Sequence, residues 1–174
     1  LPARREAELR AACAIVGIAV VAVLDYHDRA LADAPPDAIR RALVRAIRAE
    51  RPRVVGTFDP NGVNLHPDHV AISRFALDAV TAAADPRWHP ELGPAHRVRR
   101  VVWTAPVEPW TEWRRDVLAA TAGVDYVLDV TPWRDRKVAA LRAHRTQHGS
   151  IDRYWFGARS AEILATEAFR HGWG

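Results

Sequence analysis

Cysteine is nearly missing from this chain. Of 174 residues only Cys13 carries a thiol, so no internal disulfide can form and no cysteine-based zinc cluster is available. Cys13 falls on the apolar stripe of a helical stretch and reads as a small core side chain. Long hydrophobic runs are missing as well. The longest, Ala11 to Leu24, is interrupted by Gly17 and falls short of the roughly 18–20 residues that a bilayer span needs. No stretch with a basic start and an apolar middle opens the chain, so a cytoplasmic protein without membrane contact is the expectation. Lysine is almost absent, Lys137 being the only one, and the net charge of +4 is carried by arginine. Arg40, Arg41, Arg45, Arg48, Arg51 and Arg53 crowd one region; Arg97, Arg99 and Arg100 crowd another. Such clusters suit anionic partners. However, 21 acidic residues are spread among them, and no recognition helix, zinc finger or RNA-stacking signature accompanies the charge. Solvated helix faces, and no nucleic acid, are the expectation.

What is present is the composition of one ordinary globular domain, 49% hydrophobic and 26% charged, long enough to bury about two-thirds of its unfolded surface. Leu9, Ala12, Cys13 and Val16 recur at helical spacing and Gly17 is a natural stop. The continuously apolar "AVVAVL", Ala19 to Leu24, reads as a strand covered on both faces. A helix follows from Asp37 to Arg51, then a short buried strand from Arg53 to Phe58. Ile72, Phe75, Ala76, Ala79, Val80 and Ala83 mark another helix face. "VRRVVW" and "DYVLDV" read as strands, with Trp103, Trp110 and Trp113 around the loop between them. Helices are expected from about Pro132 to Gln147 and from about Ser160 to Arg170. This alternation predicts an α/β fold: a Rossmann-like three-layer sandwich with a mostly parallel sheet and helices on both faces.

The chemistry concentrates in "NGVNLHPDHVA", Asn61 to Ala71, directly after the strand ending at Phe58. In parallel α/β sheets, ligands bind beyond the carboxyl ends of strands, which is where this stretch lies. Pro67 suits the first helical position, making His66 the N-cap and placing Asp68 and His69 in the first turn. Residues three apart share a helix face, so both imidazoles can address one point. An imidazole-bound metal, zinc above all, would suit them, with Asp68 orienting a ring. On the pair alone a second account stands equally well: His66 as a simple cap and Asp68 as a charge complementing the helix dipole.

Three stretches taken together resemble the LmbE-like, or PIG-L, family of zinc-dependent N-deacetylases. They are "RREAELRAACAIVGI", "FDPNGVNLHPDHVA" and "DVTPWRDRKVAALRAHRTQ". The most specific part is a G-x-x-x-H-P-D-H pattern, met by Gly62, His66, Pro67, Asp68 and His69. The resemblance implies Zn(2+) as cofactor, His69 as its ligand, and His66 beside the metal stabilising the oxyanion of a tetrahedral intermediate while Asp68 holds the ring. It implies a hydrolase removing an acyl group, acetyl by expectation, from an amino sugar or its conjugate, with a small N-acetylated sugar conjugate as partner. Self-association is left open. Arg5 and Glu8 match the family's R-x-x-E-L; Arg5 is then a substrate-side cation, or else half of a surface ion pair with Glu8. Asp28 matches a loop acid that faces the sugar, Asn64 stands where some relatives carry tyrosine, and His144 reads as a substrate-side donor or else as a helix-surface histidine.

The family's A-H-P-D-D motif, which supplies two more zinc ligands and the general base, has no counterpart here; "YHDR", with His27 directly before Asp28, does not fit. The expectation is a single LmbE-like domain over 1–174 that lacks its first strand and metal-binding loop, and that is inactive alone. The rival functions are a Rossmann-like binding module that has lost its metal, and an arginine-rich nucleic-acid binder.

Overall fold

A computed structural model describes residues 2–105 and 123–173. Trp110 and Trp113, expected in the loop after the second paired strand, lie outside the described residues. The elements are α1 (Pro2–Val16), α2 (Pro36–Glu50), β1 (Val54–Phe58), α3 (Pro67–Ala84), β2 (Arg100–Thr104), β3 (Tyr126–Asp129), α4 (Arg134–Ala143), α5 (His148–Trp155) and β4 (Thr166–Trp173). The described residues fall into two compact units. One gathers 2–24 and 127–167; the other gathers 25–105, 123–126 and 168–173.

In the second unit, α2 and α3 bury Val44, Ile47, Ala79, Val80, Ala82 and Ala83 with Val98 and Val101 of the β2 segment. The alanines of α3 let the two helices approach closely, and the larger residues of α2 fill the space above them. Arg48 is buried with them at 3% exposure and closes the end of α3. Its guanidinium donates to the carbonyls of Ala82, Ala83, Asp85, Trp88, His89 and Gly93. Two of these, Ala82 and Ala83, lie in the last turn of α3, and a planar five-donor fork is well matched to the ring of carbonyls. Arg40 pairs with Asp37 and Asp78, and Arg41 with Glu91. Three members of the arginine cluster are therefore engaged within the fold.

The sheet has the order β1-β2-β4-β3. β1 runs parallel to β2, with Phe58 opposite Thr104, but β4 runs antiparallel to β2, with Trp103 opposite Arg170. The sheet is mixed, which corrects the expected mostly parallel arrangement. The reason lies in the last stretch, where a helix was expected to about Arg170. The helix there is a single turn, Ser160–Ile163, and the chain enters β4 within three residues and pairs antiparallel with β2. Apolar residues in "ILATEAF" suit either period, and pairing with β2 decides the matter.

In the first unit, α1 ends at Val16, with Gly17 at φ 80 as its stop. Its buried positions are Glu8 and Ala12 rather than the full apolar stripe. Ala19 to Leu24, expected to be a covered strand, is extended chain outside any ladder, with Val21 58% exposed. A strand exists only as a paired object, and among the described residues this segment has no ladder partner. The helix expected from Pro132 to Gln147 is broken at His144, where φ/ψ leave the helical region. Lys137 of α4 donates to the carbonyls of Ile163 and Thr166 and pairs with Glu167. No helix among the described residues is long and apolar enough to cross a membrane.

Candidate active site

The turn after β1 is built by its backbone. Gly62 has φ 64, and a Cβ there would lie 2.7 Å from both His69 Cβ and Val70 N, so only glycine fits. Val63 follows at φ 61, ψ −47, and Leu65 at φ 54. His66 then turns extended, at φ −62, ψ 129, and caps α3, with Pro67 in the first helical position. The capping contact runs from the Asp68 N–H to His66 Nδ1 at 3.3 Å. Asn64 Oδ1 accepts the His66 N–H at 3.1 Å, which fixes the entry to the helix.

These contacts assign different tautomers to the two imidazoles. His66 Nδ1 accepts the Asp68 N–H hydrogen bond, so in the neutral ring Nε2 carries the hydrogen and is a donor. It lies 3.7 Å from Asp28 Oδ1. His69 is the reverse. Its Nδ1 faces the carbonyl of Gly62 at 3.1 Å, an oxygen that can only accept, so Nδ1 holds the hydrogen and Nε2 offers a lone pair. Burial is the main cause that lowers the His69 pKa, and the Gly62 carbonyl opposes it; the nearby His66 adds to the lowering. The ring is neutral at neutral pH. It stacks flat on Phe58, and its centroid is 4.9 Å from that of His66.

Asp68 bonds to backbone at the head of α3. Its carboxylate accepts the backbone N–H groups of Arg29 at 2.6 Å and Leu31 at 3.1 Å, tying that loop to the start of α3. Asp28, His66 and Asp68 each present a ligand atom within 4.8 Å of the other two. Oxygen and imidazole donors of this kind accept a divalent ion, and His69, with Nδ1 pinned to a carbonyl and Nε2 bare, has the arrangement usual for a metal-binding histidine. These donors suit a divalent metal ion.

The remaining sequence candidates lie in the first unit. Arg5 is exposed, and Glu8 takes Arg4 rather than Arg5 as its ion partner, at 3.8 Å. The Glu8 carboxylate chiefly accepts the Thr146 hydroxyl, at 2.6 Å, and the Thr146 N–H. Those bonds lower the Glu8 pKa, with Arg4 and His144 contributing. His144 is half-buried at the end of α4. Sequence reasoning singled out neither Phe58, which backs the His69 ring, nor Asp59 and Arg170, whose buried pairing lies behind the turn. A buried acid directly after an apolar strand was the available signal for Asp59; Arg170 offered none.

Comparison with known proteins bears on this geometry. The family model described as "PIG-L: GlcNAc-PI de-N-acetylase" matches residues 1–80. A 1D-myo-inositol 2-acetamido-2-deoxy-alpha-D-glucopyranoside deacetylase from Geodermatophilus obscurus is 32% identical, the match covering 95% of this chain and 70% of that protein. The chain belongs to the PIG-L family. Another PIG-L relative, deacetylase 2 of the same description from Saccharopolyspora erythraea, is 37% identical over 71% of this chain and 48% of its own length. This chain thus spans about half the length of some of the relatives it matches. Among solved structures, the conserved protein TT1542 from Thermus thermophilus shares the fold at a TM-score of 0.72 and 26% identity, over 97% of this chain and 73% of that one. The N,N'-diacetylchitobiose deacetylase from Pyrococcus horikoshii shares it at 0.72 and 21% identity, over 98% and 63%.

Proposed function

We propose that this chain forms one wall of the active site of a zinc-dependent N-deacetylase whose substrate is an N-acetylated amino sugar or its conjugate. The observation that carries the reading is the divided tautomer state of two imidazoles 4.9 Å apart. One ring offers a lone pair and the other an N–H, which is the pairing an amide hydrolase needs at a metal and at an oxyanion. The names of the Geodermatophilus and Saccharopolyspora relatives support the substrate class.

In this reading His69 Nε2 holds the zinc, which when bound acidifies a water and polarises the amide carbonyl. His66 Nε2–H points to where the carbonyl oxygen gains charge, and the start of α3 adds the positive end of its dipole there. Asp28, exposed beside His66, faces the sugar; Asn64 holds the His66 backbone, and Asp68 holds the Asp28 loop in place. The resemblance assigns the remaining ligands and the general base to an A-H-P-D-D motif that these residues do not include. A cytoplasmic location completes the reading.

The test is hydrolysis of an N-acetylglucosaminyl-inositol by the full-length protein with and without a chelator, alongside His69→Ala. The expected result is loss of turnover in both cases and recovery of the wild type on adding zinc. Undiminished turnover in metal-free protein and in His69→Ala would overturn it.

A further inference from the structure

Asp59 lies one residue beyond β1 and is fully buried, and Arg170 of β4 is buried against it at 4% exposure. The register explains how they meet. Thr57 is opposite Trp103 on β2, and Trp103 is opposite Arg170 on β4, so the guanidinium reaches over β2 to the end of β1. Arg170 Nη2 donates to Asp59 Oδ2. The rest of Asp59 grips the turn: Oδ1 accepts the Val63 N–H at 2.6 Å, and its carbonyl accepts the Gly62 N–H at 2.8 Å. Val63 is β-branched at φ 61, ψ −47, a conformation such residues adopt only where the surroundings enforce it. The Gly62 carbonyl held by this turn is the one that receives His69 Nδ1–H.

We propose that Arg170 is a positioning residue for His69, acting through Asp59 and the strained Val63. Arg170 fixes the Asp59 carboxylate, the carboxylate pins Val63 in its unfavourable geometry, and the turn so held aims the Gly62 carbonyl at His69. Neither charged residue touches substrate. The consequence for catalysis rests on the deacetylase reading; the effect on the His69 ring does not.

The test compares wild type, Arg170→Lys, and Arg170→Lys with Val63→Gly in the full-length protein. Lysine keeps the charge opposite Asp59 but lacks the planar fork. Glycine adopts a positive φ without enforcement. Two quantities are read: the nitrogen NMR signals of the His69 ring in metal-free protein, and the affinity for zinc alone. In Arg170→Lys, the Nδ1-protonated form gives way to a mixture and zinc binds about tenfold more weakly, as for loss of a partner behind a metal-binding histidine. Adding Val63→Gly restores both. Should Arg170→Lys not fold, Asp59→Asn takes its place, with the same loss and the same rescue expected.

Unchanged His69 signals and zinc affinity within about twofold of wild type in the folded single variant overturn the proposal, because a tenfold loss is the effect it requires. So does a loss that Val63→Gly leaves uncorrected, because Arg170 would then be only a stabilising residue. If the wild type shows no deacetylase activity while the ring signals change and recover as described, the functional reading fails and the positioning role stands.

Discussion

The ring of Phe58 lies flat against that of His69, centroids 4.0 Å apart and planes within 4°. The last residue of β1 is therefore the back wall for the histidine read as a metal ligand. Phe58→Leu keeps an apolar side chain but removes the flat surface. The stack is worth about 0.5–1.5 kcal/mol beyond buried area. The expected outcome is a comparable loss of stability in urea denaturation and zinc binding weakened several-fold, measured by competition with a chromophoric chelator. Equal zinc affinity in the two proteins would show that the ring needs no backing.

His69 also sets a pH dependence. Burial lowers its pKa in the folded state below the ordinary value of 6.5. Between the folded and unfolded values the unfolded chain binds the extra proton, so stability rises with pH in that window. The neutral ring's contribution is complete above about 6.5 and is lost as pH falls from there through the lowered folded value. Urea midpoints recorded from about pH 7.5 down to about pH 5, a range that brackets the ordinary histidine value, should fall more steeply in wild type than in His69→Gln. Parallel curves for the two proteins would contradict this.

Arg48 supports the same helix from its far end, at the opposite terminus from the histidines. Replacing it with methionine removes six hydrogen bonds at the close of α3, although the Ala82, Ala83, Asp85 and His89 carbonyls each keep a backbone N–H. Hydrogen bonds from a charged group contribute roughly 1.5–3 kcal/mol each in isolated cases and are not additive. A loss of about 3 kcal/mol or more is expected in chemical denaturation. Arg48→Lys should recover only part of it, since a point charge cannot address a ring of carbonyls.

The local grammar of the motif was legible: Pro67 after a capping His66 predicts a helix start, and α3 begins there. The strand before it and the two-helix core also followed from apolar periodicity. Pairing was not legible. Whether "AVVAVL" becomes a strand depends on a neighbour, and whether "ILATEAF" coils or extends depends on β2, and neither dependence is written locally. The same limit applied at the site. Spacing placed His66 and His69 on one face, but the partner of each Nδ1 is a backbone group set by a turn with three positive φ angles, at Gly62, Val63 and Leu65. Only Gly62 among those three residues announces such a conformation; Val63 and Leu65 give no warning of it. Asp68, expected to orient a ring, grips backbone amides of a loop nearly forty residues earlier.

That grip has a consequence for how such a protein changes over time or under engineering. Because one carboxylate in the opening turn of α3 clasps the amides of Arg29 and Leu31, the stretch bearing Asp28 has no independence from the imidazoles. A loop exchanged there would carry its new side chains on a hinge already fastened to the helix that bears the two histidines. Grafts that preserve two inward-facing amides at those positions should retain the chemistry while altering recognition. Grafts that place a proline at either one should damage both together.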